Sequence, residues 1–367
     1  MWDVIVVGGG PGGAAAAKLC AQGGLCTLLL ETRALPRDKV CSGVLFGDTA
    51  QALTREIFGE LPQTVMVPPR YLRGQAVYVQ GAERSVIEQR MPITWRKDLD
   101  FWMVQAAQKQ GAAISDSTRA IDVSQASDGC CVRVHKRRDG STQDLKARFV
   151  IGADGAKSAV RKSLFPGLKV PYNQEIRECY HMAFPLEDAY IHTFYDAVLK
   201  YWFIINFKGP YFLLEVSGKL GETSALKEKV VKPYLARQYG FDPKTVPLRL
   251  DGTVEAKLYE QLFSRKFVPA VGNVVLVGDA AGFQLPTGEG IGTALMSAAK
   301  AAQAVLAAAG RSTAAADIYL DLTRGMVDAI KELHALAVKA RFTPADDPQV
   351  TVERVVEMMK ASLRYVA

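Results

Sequence analysis

The stretch VIVVGGGPGG, residues 4–13, joins an apolar, β-branched run to a glycine turn that opens onto the helix-forming segment AAAAKLCAQ, residues 14–22. Gly8, Gly10 and Gly13 stand in GxGxxG spacing. The first permits a tight turn, the second lets backbone approach a pyrophosphate, and the third lets helix and strand pack closely. The helix behind them offers free N–H groups and the positive end of its dipole to the same anion. A second apolar strand, residues 26–30, ends at Glu31, where a carboxylate can accept hydrogen bonds from ribose hydroxyls. A glycine turn alone is common. Strand, glycines, helix, strand and terminal acid within some thirty residues predict a site for an ADP-containing dinucleotide. Gly12, Thr32 and Arg33 stand beside this framework and join it as candidate cofactor contacts.

Two later segments narrow the dinucleotide to FAD. In RFVIGADGAKSAVR, residues 148–161, a strand runs into Asp154-Gly155, with Ser158 and Arg161 on the helix that follows. The turn approaches the cofactor while Asp154 and Arg161 hold the loop. In GDAAGFQLPTGEGIG, residues 278–292, Asp279 at a strand end can bond ribityl hydroxyls. Pro286, Gly288 and Gly290 let the backbone pass close under a flat ring. The helix that begins near Ile291 turns its positive N-terminus toward the flavin edge that becomes negative on reduction. Each segment alone is an ordinary turn; all three in this order are not coincidence.

Between these segments the texture changes. Pro36 marks an extended loop, and a helix is expected from Gly47 or Asp48, with Asp48 as its cap. Residues 75–80 and 85–88 alternate as antiparallel strands do. A helix leads from Thr94 to about Gln110, ended by Gly111, and residues 130–136 and 145–151 form a hairpin turned by Asp139-Gly140. From Pro171 to Arg265 aromatic and β-branched residues predict an antiparallel sheet, with a helix inserted over about 224–239. Residues 274–279 and an Ala-rich helix to about Ala309 restore α/β texture. The last 57 residues read as amphipathic helices broken at Pro344 and Pro348. The expected class is α/β with a mixed α+β insertion. A Rossmann-type FAD domain (1–75, 96–165 and 266–310) is split by an antiparallel-sheet substrate domain (76–95 and 166–265), and a helical C-terminal region (311–367) follows.

With 367 residues, 49% hydrophobic and 23% charged, the chain can bury a large core over two intertwined domains. Its net charge of +7 is mild and the Lys and Arg are scattered, which argues against nucleic acid as a partner. A basic face meeting an anionic membrane or substrate is compatible with it. Six cysteines show no CxxC pair and no metal-ligand spacing, so no metal is expected and a reducing compartment is. The first strand leaves no stretch for a targeting peptide, and no run approaches the ~20 apolar residues of a membrane span. The expectation is a cytoplasmic protein, at most peripheral to a membrane.

The three FAD segments resemble the flavoprotein superfamily of aromatic hydroxylases, flavin-dependent halogenases and geranylgeranyl reductases, over residues 1 to about 308. Hydroxylases often carry His after GDAA, where this chain has Gly282. The halogenase signature WxWxIP has no counterpart. The run GDAAGFxxPxGEGI, together with PRDKVCSG at 36–43, most resembles the geranylgeranyl reductases. Arg96 and Asp100 match that family's RxxFD segment, with Leu99 in place of Phe. The resemblance implies that Arg96 and Lys39 approach the FAD phosphates or the flavin rim, and that Cys41 lies near the reactive ring face. The reductases' aromatic YxWxFPKG segment is matched only loosely by residues 201–209, where Asn206-Phe207 disturbs the Pro, and this bears on the substrate more than on the reaction.

Four histidines, His135, His181, His192 and His334, all lie away from the FAD segments, so the flavin is expected to be non-covalent. No second GxGxxG precedes a strand–helix unit. The reductant is therefore expected to be transiently bound NAD(P)H or a donor protein such as ferredoxin. The expected reaction saturates carbon–carbon double bonds of an isoprenoid or other apolar substrate; the alternative is hydroxylation of an aromatic or polyketide-like one. Cys41, Tyr201 and His192 are the candidates at the reacting end, and Trp202, Phe203, Phe207 and Tyr211 the candidate pocket wall. Tyr201, Phe203, Ile205 and Phe207 share one face of their strand, with Trp202, Ile204 and Asn206 on the other. Both faces are mostly apolar, which fits one core face and one pocket face, or core packing alone.

Overall fold

The computed structural model describes residues 1–127, 129–196, 201–311, 313–342 and 347–365. The chain opens with β1 (Trp2–Val7), α1 (Pro11–Gln22) and β2 (Thr27–Leu30). Next come α2 (Gly47–Phe58), β3 (Met66–Val79), β4 (Ser85–Thr94) and α3 (Arg96–Lys109). They are followed by β5 (Ala113–Ser115), β6 (Thr118–Ala126), β7 (Gly129–Lys136), β8 (Thr142–Gly152) and α4 (Ala159–Leu164). A run of strands succeeds them: β9 (Tyr172–His181), β10 (Tyr190–Asp196), β11 (Tyr201–Lys208) and β12 (Tyr211–Lys219). Then α5 (Thr223–Leu226) passes through a π-helical turn into α6 (Lys232–Tyr239), and β13 (Arg249–Ala256), α7 (Tyr259–Phe263), β14 (Ala270–Val271) and β15 (Val274–Leu276) follow. The chain closes with α8 (Ile291–Ala309), α9 (Ala315–Leu322), α10 (Arg324–Phe342) and α11 (Pro348–Leu363).

Two sheets organise these elements. The first has a parallel core in the order β15-β8-β1-β2-β5. Strands of such a core are covered on both faces and so read as continuous apolar runs, and Val4, Ile5, Val6, Val274 and Val275 are fully buried. Helices α1 and α8 pack directly on each other, Gly12 lying against Ala294. The antiparallel β6–β7 pair extends from β8. The second sheet runs β13-β9-β12-β11-β10-β3-β4, antiparallel except where β10 meets β3. One of its faces buries Phe194, Phe203, Phe207 and Phe212 beneath Val231 and Leu235 of the inserted helix. The other face meets α10 and α11 at its β3–β4 end, around Val352, Val355 and Met358.

Several expectations need adjustment. The domain boundary at residue 75 falls inside β3, which starts at Met66; Pro68-Pro69 and the irregular pairing around Tyr71 and Gly74 hide its first half. Strand β6 escaped the sequence reading because its TRAIDVSQA pattern buries only Thr118, Ala120 and Val123. Asp48 does not cap α2: Phe46 holds that position, and the Asp48 carboxylate accepts from Gln89 Nε2. Among the described residues one helix, α8, is long and apolar enough by composition to cross a membrane, contrary to expectation, though 67% of that window is buried inside the fold. Pro348 stands at the start of α11, and Pro344 lies outside the described residues.

Candidate functional site

The glycine turn after β1 is sterically committed. Gly8 has φ +109°, which disfavours any side chain, and a Cβ on Gly13 would fall on the Gly8 carbonyl oxygen. A Cβ on Gly10, by contrast, would meet nothing nearer than Arg37 Nη2 at 3.8 Å. The close packing needed by helix and strand is thus at Gly13, and the open approach is at Gly10. Helix α1 has Gly10 as N-cap, without a side-chain cap, so its first N–H groups face the opening.

Glu31, at the end of β2, accepts from the Gly9 N–H at 3.1 Å, the Arg33 N–H at 3.0 Å and Arg37 Nε at 3.2 Å. Arg37, which the sequence reading did not single out, also donates to the Gly9 carbonyl and to Asp100. Asp100 in turn receives Arg96 through a two-pronged pair at 2.7 and 2.9 Å. Burial alone would raise the Asp100 carboxyl, but Arg96 and Arg37 hold it below its ordinary value. These two acids and two bases clamp the glycine turn to α3.

At the other end, Asp154 accepts from the N–H groups of Ala159 and Val160, and Arg161 donates to the Ala280 carbonyl at 3.0 Å. Arg161 therefore locks the second and third segments together without lining the opening. Lys39 pairs with Asp279 at 3.7 Å. Glu289 accepts from the Gly292 N–H at the start of α8, and burial, with Asp279 adding, pushes its carboxyl up to about 7. Asp154 Oδ1 and Thr287 Oγ1 are buried with no hydrogen-bond partner among the described residues, although both residues line the opening.

These parts border one cavity of about 600 Å³, within the range of ordinary cofactor and ligand sites. It is lined by Gly8, Gly10, Gly12, Glu31, Thr32 and Arg33 of the first segment, and by Lys39, Cys41, Arg96, Asp154 and Asp279. Gly288, Gly290 and Ile291 border it as well, whereas Gly13, Arg161 and Pro286 stand outside the lining. Open glycine backbone, an uncapped helix N-terminus and unpartnered polar oxygens fit the phosphates and hydroxyls of FAD.

The far wall is the second sheet. Side chains on a strand alternate faces, and Trp202 and Ile204 reach the cavity while Phe203 and Phe207 join the aromatic core under α6. Of the four expected pocket residues only Trp202 lines the cavity. Tyr211 packs edge-on to Trp95 instead. Tyr201 stays on the core face, stacked with Phe203. His192 is a further correction. It is buried on the face away from the cavity, between Tyr78 Oη at 3.0 Å and the Glu187 carbonyl at 2.8 Å, while its neighbour Thr193 faces the cavity. Cys41 does line it. Gln75, Glu175, Glu215, Glu255 and Met359 also border it and were missed, because strand pairing and the docking of α11 decide which of their faces points inward.

Such an arrangement defines a flavin-dependent oxidoreductase built on two sheets around one cofactor cleft. The chain belongs to the FAD binding domain family, whose model matches residues 1–212. Within that family it resembles the geranylgeranyl reductases. It is 31% identical over 186 residues to the digeranylgeranylglycerophospholipid reductase of Methanosphaerula palustris, covering 48% of this chain and 44% of that one. The chain thus spans less than half the length of that relative. It is 26% identical over 313 residues to digeranylgeranylglycerophospholipid reductase 3 of Methanosphaera stadtmanae, covering 80% and 75%. A geranylgeranyl bacteriochlorophyll reductase-like protein of Thermoplasma acidophilum shares the fold, with TM-score 0.76, 18% identity, and coverage of 98% and 99%. The aklavinone 12-hydroxylase of Streptomyces peucetius is 29% identical over 181 residues, covering 44% of this chain and 37% of that one. The flavin-dependent halogenase CmlS shares the fold, with TM-score 0.72, 16% identity, and coverage of 97% and 69%.

Proposed function

We propose that this chain reduces carbon–carbon double bonds of an isoprenoid or other apolar substrate. When bound, FAD supplies the hydride. The observation that carries the reading is the continuity of the cavity, from the glycine turn to a wall of Trp202, Ile204, Phe46 and Leu363. The reductase names of two relatives support it. Unactivated alkenes resist hydride, so the protein must hold the bond tightly and keep water out. Trp202 and Ile204 supply an apolar wall, Cys41 and Lys39 also border the cavity, and α11 contributes Met359 and Leu363 to its lining. The electron donor we propose is NAD(P)H bound transiently or a small redox protein.

The test is anaerobic reduction of the flavin-bound chain followed by addition of candidate alkenes. Flavin reoxidation with a product heavier by two hydrogens supports the reading. Substrate-dependent oxygen uptake and a product heavier by one oxygen would overturn it in favour of hydroxylation.

A further inference from the structure

The sheet face that closes the cavity carries two acids that the reading above does not use. Glu175 on β9 and Glu215 on β12 both line the cavity. Ser217 opposes Glu175 and Glu215 opposes Arg177 in the strand register, so the two acids are diagonal neighbours on one face, roughly 7–8 Å apart along the sheet. Ile204, part of the apolar wall, lies opposite Glu215. Glu215 is only 3% exposed. Its Oε1 and the adjacent Asn206 carboxamide lack a well-formed hydrogen bond among the described residues. Two acids on one face of the sheet, one of them almost wholly buried with an unpartnered oxygen, disfavour carrying two negative charges at once.

We propose that Glu175 and Glu215 form a proton-sharing pair that delivers a proton to the substrate carbon that does not receive hydride. This rests on the double-bond reading above. The new C–H bond takes its electron pair from the alkene π bond and its proton from the carboxyl O–H. The hydride for the other carbon comes from reduced flavin, the two-electron reductant. The carboxylate left behind regains its proton from solvent.

The surrounding charges are compatible with this role. Burial raises Glu175 well above the carboxylate range, with Glu215, Glu255 and Cys41 adding and Lys39 opposing. Burial also raises Glu215, against Arg177, Lys208 and the neighbouring Asn206 carboxamide. Arg177 is drawn off by Asp38 and Asp251, Lys208 donates to the Thr94 carbonyl, and Glu255 is paired with Lys257. His192 cannot take the role from the opposite face of the sheet.

Infrared spectra of the flavin-bound chain in H2O and D2O, without substrate, read the protonated carboxyl directly. Subtracting the spectrum of the double variant cancels the protonated fraction of Glu289, whose carboxyl is pushed up to about 7. The expected result is a carboxylic-acid band in the wild-type difference that shifts in E175Q and in E215Q, with flavin absorbance retained as the sign of folding. In turnover, each single variant should lose about 100-fold or more in kcat with little change in KM. In E175Q the alkaline limb of the kcat profile should move to lower pH, because Glu215 has lost its like-charged neighbour. A wild-type spectrum with no carboxylic-acid band beyond that of the double variant, or a double variant with the wild-type rate and pH profile, overturns the proposal. If the unmodified chain reduces no alkene, the double-bond reading fails, and the infrared band still decides whether the two acids share a proton.

Discussion

Asp100 sits at the centre of a buried charge cluster, 1% exposed between Arg96 and Arg37. Removing one member of such a cluster leaves uncompensated buried charge. Asp100→Asn should therefore lower stability by about 3–5 kcal/mol, read by urea denaturation. The folded carboxyl lies below its ordinary value of 3.8, so its contribution is complete above about pH 4 and is lost as pH falls through the folded value. The variant should show a flatter acid limb. Glu289 has the opposite sign. Its folded value of about 7 stands above the ordinary 4.5, so the folded state binds the proton more tightly and stability falls as pH rises from about 4.5 to about 7. Glu289→Gln should remove that slope in the flavin-free chain. Arg96 and Asp100 could be read from the sequence because they lie one helical turn apart. Arg37 could not, because its partner Asp100 is 63 positions away.

Among the elements, β11 makes alternation testable. Phe203→Ala empties a position in the aromatic core and should cost about 3–5 kcal/mol, with flavin affinity unchanged. Trp202→Ala, one residue earlier, removes cavity wall and should raise KM for an apolar substrate about tenfold or more with a smaller loss of stability. Thermal melts and steady-state kinetics on the two variants separate these outcomes; equal effects on both measures would contradict the assignment of faces. The two faces of β11 were visible in the sequence, but their destinations were not. Trp202 and Phe203 are both large and apolar, and only the pairing of β11 with β12 and the helix above Phe203 distinguish cavity from core. The same nonlocality hid Glu175 and Glu215. The unit β1-α1-β2 and residues 278–292 were legible because their chemistry is local: glycines, strand ends and helix starts lie within a few residues of one another.

The whole molecule is two sheets with a cofactor cleft between them, tied on one side by α11. Leu363 and Met359 of α11 border the cleft while Val352, Val355 and Met358 pack on the second sheet, and Thr49 of α2 donates to the Tyr365 carbonyl. A ligand in that cleft touches elements from residue 7 to residue 363, so its loss loosens both sheets at once. Removal of FAD should therefore lower stability globally rather than at one loop. With free FAD at 100 times its Kd, the gain over the flavin-free chain should be about 2.7 kcal/mol, and it should grow with the logarithm of added FAD. Gly13→Ala tests the link, because the added Cβ falls on the Gly8 carbonyl oxygen and distorts the phosphate turn far from the second sheet. The variant's melting temperature should not respond to added FAD, and limited proteolysis should then cut the second sheet as readily with FAD as without it. A variant still stabilised by FAD to the wild-type extent would show that the glycine turn does not hold the cofactor.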